Sequence, residues 1–215
     1  MTSSRRSDRA LPAIAVLCSG QGTNLQALLD ATRRGTLAAR VVLVLSDRAD
    51  AKALVRARQA GITAQFVDPK KFAGRADHEG ELIRLCDEHR VSLVCLAGYM
   101  RMLSGVFVGR YRHGSLNVHP PLLPAFPGAP AIRDALSWGA RVTGVTVHFV
   151  DEEMDHGPII LQEAVPIKAG DTEATLLARV HRVEHRLYAK TVGLVLAARV
   201  RVDGRRVRLR SKSKA

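Results

Sequence analysis

Asn117-Val118-His119-Pro120 is the segment of this chain whose residue types best suit chemistry. On an extended strand, residues two apart point to the same side, so the Asn117 amide and the His119 imidazole converge on one reactant. An amide donor beside an imidazole suits a developing oxyanion coupled to a proton transfer. The Pro-dense run His119-Pro120-Pro121-Leu122-Leu123-Pro124 that begins there reads as a rigid loop at the strand end, since it cannot lie in a sheet interior. Further on, Asp151-Glu152-Glu153-Met154-Asp155-His156-Gly157-Pro158 crowds four carboxylates into one loop. Such a run reads either as a solvated turn or as a place where Asp155 is held against an imidazole and relays a proton. His148, in the strand before it, reads as a core residue.

A third segment, Ser19-Gly20-Gln21-Gly22-Thr23-Asn24, joins a strand to a helix. Backbone N–H groups at a helix start, reached through glycines, can cradle a phosphate monoester; a plain tight turn is the alternative. A nucleoside-triphosphate loop would end in Gly-Lys-Ser/Thr, and here the residues are Gly-Thr-Asn. A dinucleotide fingerprint would need a glycine where Leu25 stands, although Asp47 at the second strand end leaves that reading weakly open. No Cys or His spacing resembles a zinc site and no serine sits in a nucleophile elbow, so the expectation is no metal.

The elements that must position these groups alternate. Ala13–Cys18, Val41–Leu45 and Ser92–Ala97 are apolar runs suited to strands buried on both faces. Helices are expected over 23–34, capped by Thr23 or its neighbour, over 50–60, closed by Gly61, and over 75–89, with a short strand at 64–67. That rhythm predicts a parallel sheet with right-handed crossovers. Ser115–Val118, Gly144–Val150 and Ile159–Ile167 read as strands, 129–138 as a helix, and 172–198 as a long helix broken near Gly193.

Length and composition bound the answer. With 215 residues, 47% hydrophobic and 25% charged, the chain fits one domain with a substantial core, flanked by a basic extension (1–10) and a basic tail (199–215) around 11–198. Disordered, collagenous and disulfide-scaffold classes are excluded, and no apolar run reaches the roughly 18 to 20 residues of a membrane helix. Neither a secretory signal nor a membrane partner is expected. Cys18, Cys86 and Cys95 read as buried reduced thiols, which points to the cytoplasm. The net charge of +13 is concentrated at the ends: residues 199–215 carry eight lysines or arginines against Asp203, and Arg5, Arg6 and Arg9 face Asp8. Solvated tails are expected, with no specific nucleic-acid partner, because nine scattered aromatics give no base-stacking surface.

Ser19–Gln26, Ala97-Gly98-Tyr99-Met100-Arg101-Met102-Leu103, Leu116–Pro120 and Val147–Val150 with Asp155–Ile159 fall in a familiar order and spacing. Over roughly residues 13–190 the chain resembles the phosphoribosylglycinamide formyltransferases, the folate-dependent transformylases of purine biosynthesis. The resemblance implies a doubly wound, Rossmann-like α/β fold whose mostly parallel sheet has an antiparallel part. It implies Asn117, His119 and Asp155 as the catalytic set, and Gly22, Thr23 and Asn24 as the phosphate cradle. His181 and Glu184 would assist, Glu184 at the glycinamide end. Met100, Arg101, Met102 and Leu103 would line a 10-formyltetrahydrofolate pocket with Asn117, Asp151, Asp155 and Arg75. The Leu123-Pro124 bond would be cis. Pro121 and Pro130 depart from the family pattern.

The implied reaction is formyl transfer from that cosubstrate to glycinamide ribonucleotide by a monomer or homodimer, with His119 kept protonated by Asp155. Two alternatives stand beside it: a 10-formyltetrahydrofolate hydrolase sharing the same three residues, and a non-catalytic nucleotide- or RNA-binding protein.

Overall fold

The computed structural model describes residues 10–128 and 131–210. Arg5, Arg6 and Arg9 of the basic extension, Pro130, and residues 211–215 of the tail lie outside them. In chain order the elements are β1 (Ala13–Leu17), α1 (Thr23–Arg33), β2 (Arg40–Ser46), α2 (Lys52–Gln59), β3 (Thr63–Phe66), α3 (Arg75–Glu88), β4 (Leu93–Leu96), α4 (Gly105–Arg110), β5 (Ser115–His119), α5 (Ala131–Ser137), β6 (Val142–Phe149), β7 (Ile159–Pro166), α6 (Glu173–Leu196), β8 (Val200–Asp203) and β9 (Arg206–Leu209).

Seven strands form one sheet in the order β3-β2-β1-β4-β5-β6-β7. The pairs from β3 through β5 are parallel, and β6 and β7 add antiparallel. The strand alternation divides the core between the two faces. Ile14, Val16 and Cys18 enter one cluster with Leu25 and Leu28 of α1 and Val180, Leu187 and Tyr188 of α6. Ala15 and Leu17 enter the other with Leu82, Leu85 and Cys86 of α3 and Phe107 of α4. Burial on both faces is why these strands read as continuous apolar runs rather than as alternating ones. Among the described residues no helix is long and apolar enough to cross a membrane.

Strand order reverses at β1, whose neighbours are β2 and β4. In such sheets the loops leaving the two strands at the reversal part in opposite directions and open a crevice at their carboxyl ends. The loops after β1 and β4 are tied across that crevice. Ser19 N–H donates to the Gly98 carbonyl at 3.0 Å, and Ser19 Oγ accepts from Met100 N–H at 2.9 Å while donating to Asp47 at 2.5 Å. Asp47 therefore braces the loop from the end of β2.

Helix α1 is capped by Gly22, the neighbour of Thr23, with φ 71° and no side-chain cap hydrogen bond. Two local expectations need correction. Helix α6 runs unbroken through Gly193, because the apolar face it lays on the sheet outweighs the roughly 1 kcal/mol that a mid-helix glycine costs. The supposed solvated tail folds as far as residue 210: β8 and β9 pair antiparallel about a two-residue loop at Gly204-Arg205. Val200, Val202 and Val207 of this hairpin pack against the core. The alternation Val-Arg-Val-Asp-Gly-Arg-Arg-Val carries a hairpin signal, which the charge count obscured. The Leu123-Pro124 bond is cis as the resemblance implied, and so is Pro120-Pro121.

Tyr188 joins helix to sheet. Its fully buried hydroxyl lies 2.9 Å from the Leu96 carbonyl and 3.0 Å from the Leu116 carbonyl, bridging β4 and β5 from below the crevice. Replacing it by phenylalanine removes the donor and leaves buried carbonyls short of a partner. Tyr188→Phe should cost about 1 to 3 kcal/mol in urea unfolding without changing the fold by circular dichroism.

Candidate active site

A cavity of about 680 Å3 lies over the carboxyl ends of β1, β4 and β5. Its floor is set by strand register. Asn117 and His119 share one side of β5, and the antiparallel partner opposite Asn117 is His148 of β6. The β6–β7 loop then folds back over this row. Gly157 permits the fold, since a Cβ there would collide with the Phe149 carbonyl, and Phe149 N–H donates to the Pro158 carbonyl at 3.0 Å. Asp155 sits at the turn with φ 51°, a left-handed conformation that is costly for a residue with a side chain.

The loop delivers the Asp155 carboxylate into the row. Asn117 Nδ2 donates to Oδ1 at 3.1 Å and Gly128 N–H donates to Oδ2 at 2.9 Å. His119 Nδ1 stands 3.5 Å from Oδ2, and His148 Nε2 stands 3.6 Å from Oδ1. Burial alone would raise this carboxyl's pKa; the histidines and the Gly128 N–H outweigh it and hold the group below the ordinary range. Burial pushes His119 down despite the attraction of Asp155, so the imidazole is predominantly neutral near pH 7 in the ligand-free chain. In the ligand-free chain desolvation penalises the charge more than one carboxylate at 3.5 Å repays.

His148 was missed. Its Nδ1 donates to the Phe149 carbonyl at 2.7 Å, which leaves Nε2 to accept from Asn117 Nδ2 at 3.2 Å. Strand burial made it resemble a core residue. The β5–β6 register that brings it opposite Asn117 was the missing signal.

Across the cavity lies the Gly-rich loop. Gly22 is in the left-handed region, and a Cβ there would sit 2.8 Å from Ala53 Cα, so α2 packs directly on the loop backbone. Ala53 N–H donates to the Gly20 carbonyl at 3.1 Å. The result is an α1 start without a side-chain cap, whose residues Gly22, Thr23 and Asn24 line the cavity and whose first N–H groups have no partner within the helix. Asn24 Nδ2 approaches Glu184 Oε2 at 3.5 Å, while its Oδ1 is buried with no partner, an acceptor awaiting a donor. His181 Nε2 lies 3.6 Å from the same Glu184 oxygen. Burial pushes Glu184 up to about 7, against the Asn24 hydrogen bond.

Met100, Arg101, Met102, Leu103 and Asp151 all line the cavity. Arg75 does not. Its Nε pairs with Glu79 at 3.0 Å, and Glu79, 1% exposed, accepts from Ser104 N–H at 2.8 Å and from the Ser104 hydroxyl. Arg75 therefore supports the end of the 97–104 segment from outside, because this ion pair draws the guanidinium along its own helix. Among the described residues no group of three or more metal-ligating side chains gathers.

The sequence profile described as "Formyl transferase" matches residues 13–192, and the chain belongs to that family. It is 43% identical to the phosphoribosylglycinamide formyltransferase of Escherichia coli, a match covering 88% of this chain and 89% of that one. A crystal structure of glycinamide ribonucleotide transformylase 1 from Symbiobacterium toebii superposes with TM-score 0.92 at 47% identity, covering 94% and 95% of the two chains. These relatives put the chain on the phosphoribosylglycinamide formyltransferase branch. It is also 48% identical over 88% of its length to the trifunctional purine biosynthetic protein adenosine-3 of Gallus gallus, and the match spans about a fifth of that longer protein, 19% of its length.

Glu184 gives the apo protein a pH signature. Its folded pKa of about 7 lies above the ordinary 4.5, so the native state holds the proton more tightly than the unfolded chain does. That stabilisation is complete at low pH and is lost as pH rises through about 7. Relative to Glu184→Gln, which cannot ionise, the ligand-free wild type should lose up to about 3 kcal/mol between about pH 5 and about pH 8. Urea unfolding at the two pH values measures the difference.

Proposed function

We propose that the chain transfers the formyl group of 10-formyltetrahydrofolate to the amine of 5'-phosphoribosylglycinamide, giving the N-formyl product and tetrahydrofolate in de novo purine biosynthesis. The observation that carries this reading is a single cavity holding two different devices. At one side is an anion-type helix start with a buried carboxyl beside it; at the other is an amide, imidazole and carboxylate cluster.

The residues divide the work as follows. Backbone N–H groups at Gly22, Thr23 and Asn24 hold the phosphate, where the helix dipole favours negative charge. Glu184, assisted by His181, receives the glycinamide end, and the unpaired Asn24 Oδ1 takes one of its N–H groups. Met100 through Leu103 and Asp151 hold the folate. Binding energy gathered at the phosphate, remote from the reacting carbon, orients the amine and lowers the entropic cost of attack.

At the reacting carbon, the amine nitrogen forms a bond while the bond to the folate nitrogen breaks. Negative charge develops on the formyl oxygen. The planar Asn117 amide, whose two protons meet Asp155 and His148 in this structure, rotates as a unit to donate to that oxygen. His119 enters neutral, takes the amine proton and returns it to the departing nitrogen. Asp155 stabilises the imidazolium that forms between those two events, so its charge is worth more in the transition state than at rest. No covalent enzyme intermediate is required. The buried free thiols of Cys18, Cys86 and Cys95 suit a reducing compartment, and we place the enzyme in the cytoplasm.

Absorbance change on folate deformylation, with and without glycinamide ribonucleotide, tests the reading. Turnover should depend on the amine. Equal rates without it would make the protein a hydrolase, and no reaction under either condition would favour a binding protein. Asp155→Asn should retain the fold and lower kcat by about 10^2 to 10^4, the range for a lost acid–base contribution.

A further inference from the structure

The loop carrying Asp155 is held from a direction that the reaction chemistry does not require. Arg205, in the two-residue loop of the β8–β9 hairpin, reaches residue 156 through two nitrogens. Its Nη2 donates to the His156 carbonyl at 2.6 Å, and its Nη1 lies 2.8 Å from His156 Nε2. A guanidinium can only donate, so Nε2 accepts and the imidazole proton resides on Nδ1. That nitrogen donates to Asp151 Oδ2 at 2.8 Å. The chain of contacts Arg205–His156–Asp151 thus ties the residue that follows Asp155 to the first residue of the loop.

The hairpin that aims Arg205 is itself fixed. Arg210 N–H donates to the Arg199 carbonyl at 2.8 Å, Arg199 Nε donates to the Arg210 carbonyl at 3.1 Å, and β9 lies beside β7. Val202 and Val207 seat it on the core. Asp155, by contrast, occupies a left-handed conformation that a non-glycine residue keeps only when its surroundings over-determine it. Inside the cavity its carboxylate is held by Asn117 and Gly128. Asn117 has to reorient during the reaction, so the loop needs a tether that does not move with the chemistry.

We propose that Arg205 is a positioning residue for formyl transfer: through His156 and Asp151 it holds the Asp155 loop in its reactive geometry, making the C-terminal hairpin part of the catalytic apparatus. The proposal rests on the function inferred above. It acts on one side of the cavity: the phosphate cradle is built on α1 and α2, and among the described residues the side-chain hydrogen bonds of Arg205 go to His156.

Steady-state kinetics of the full chain test it, with both substrates varied. Arg205→Ala should lower kcat about tenfold, within the cost of small displacements of a reacting group, and leave KM for glycinamide ribonucleotide within about twofold. Arg205→Lys should recover part of the loss, since an ammonium can reach the carbonyl but cannot span the carbonyl and the imidazole together. In a His156→Ala background, Arg205→Ala should have little further effect on kcat, as expected of residues acting in series. Thermal unfolding of each variant separates this effect from loss of fold. An active wild type with an unchanged Arg205→Ala variant overturns the proposal alone, as does a loss of equal size in the His156→Ala background. A wild type without acceptor-dependent transfer overturns the functional reading, and this proposal falls with it.

Discussion

The Asp155 carboxylate carries a negative charge into a site where 10% of its side chain remains exposed. A buried charge persists only if hydrogen-bond donors and nearby positive potential replace the water it has lost. Each neighbouring part of the site answers that requirement. Asn117 comes from β5 and Gly128 from the Pro-rich loop to donate to the carboxylate, while His119 stands 3.5 Å away on β5. The same constraint sets the resting state of His119. Its burial keeps the imidazole neutral and able to accept a proton, and the carboxylate makes the charged form affordable only once the proton arrives.

The mixed sheet is what makes such a cluster possible. Its parallel half places the Gly-rich loop and the 97–104 loop at one edge of the crevice, in the position that strand reversal opens. Its antiparallel half lets β6 run back beside β5, so that His148 meets Asn117 and the following loop returns over both. A wholly parallel sheet would carry the chain away from β5 after the strand and would have no short loop to bring a carboxylate back. The two halves therefore supply the two devices of the cavity, anion binding from one and proton chemistry from the other.

Legibility in the sequence followed the range of the interaction. The buried strands β1, β2 and β4 and their helices were readable because burial on both faces imposes a local composition. The end of α6 was misread, since glycine propensity is a local cost that long-range packing overrides. The hairpin was misread for the opposite reason: a net-charge count discards the alternation of valine with arginine that pairs β8 and β9. Arg75, which the resemblance assigns to the folate, pairs with Glu79 of its own helix in the ligand-free chain.

Local pattern alone determined that Asn117 and His119 share a side, because the pleat repeats every two residues. It also determined a glycine-rich start to α1 suited to an anion. Only the tertiary structure decided that Asp155 and His148 join them, that Glu184 is buried enough to hold a proton near neutrality, and that Arg205 meets His156 of the catalytic loop. These facts depend on distances across strands and loops far apart in the chain, and on desolvation that no single segment imposes on itself. Residue type fixes which protons can move; the environment assembled by folding fixes where each one rests.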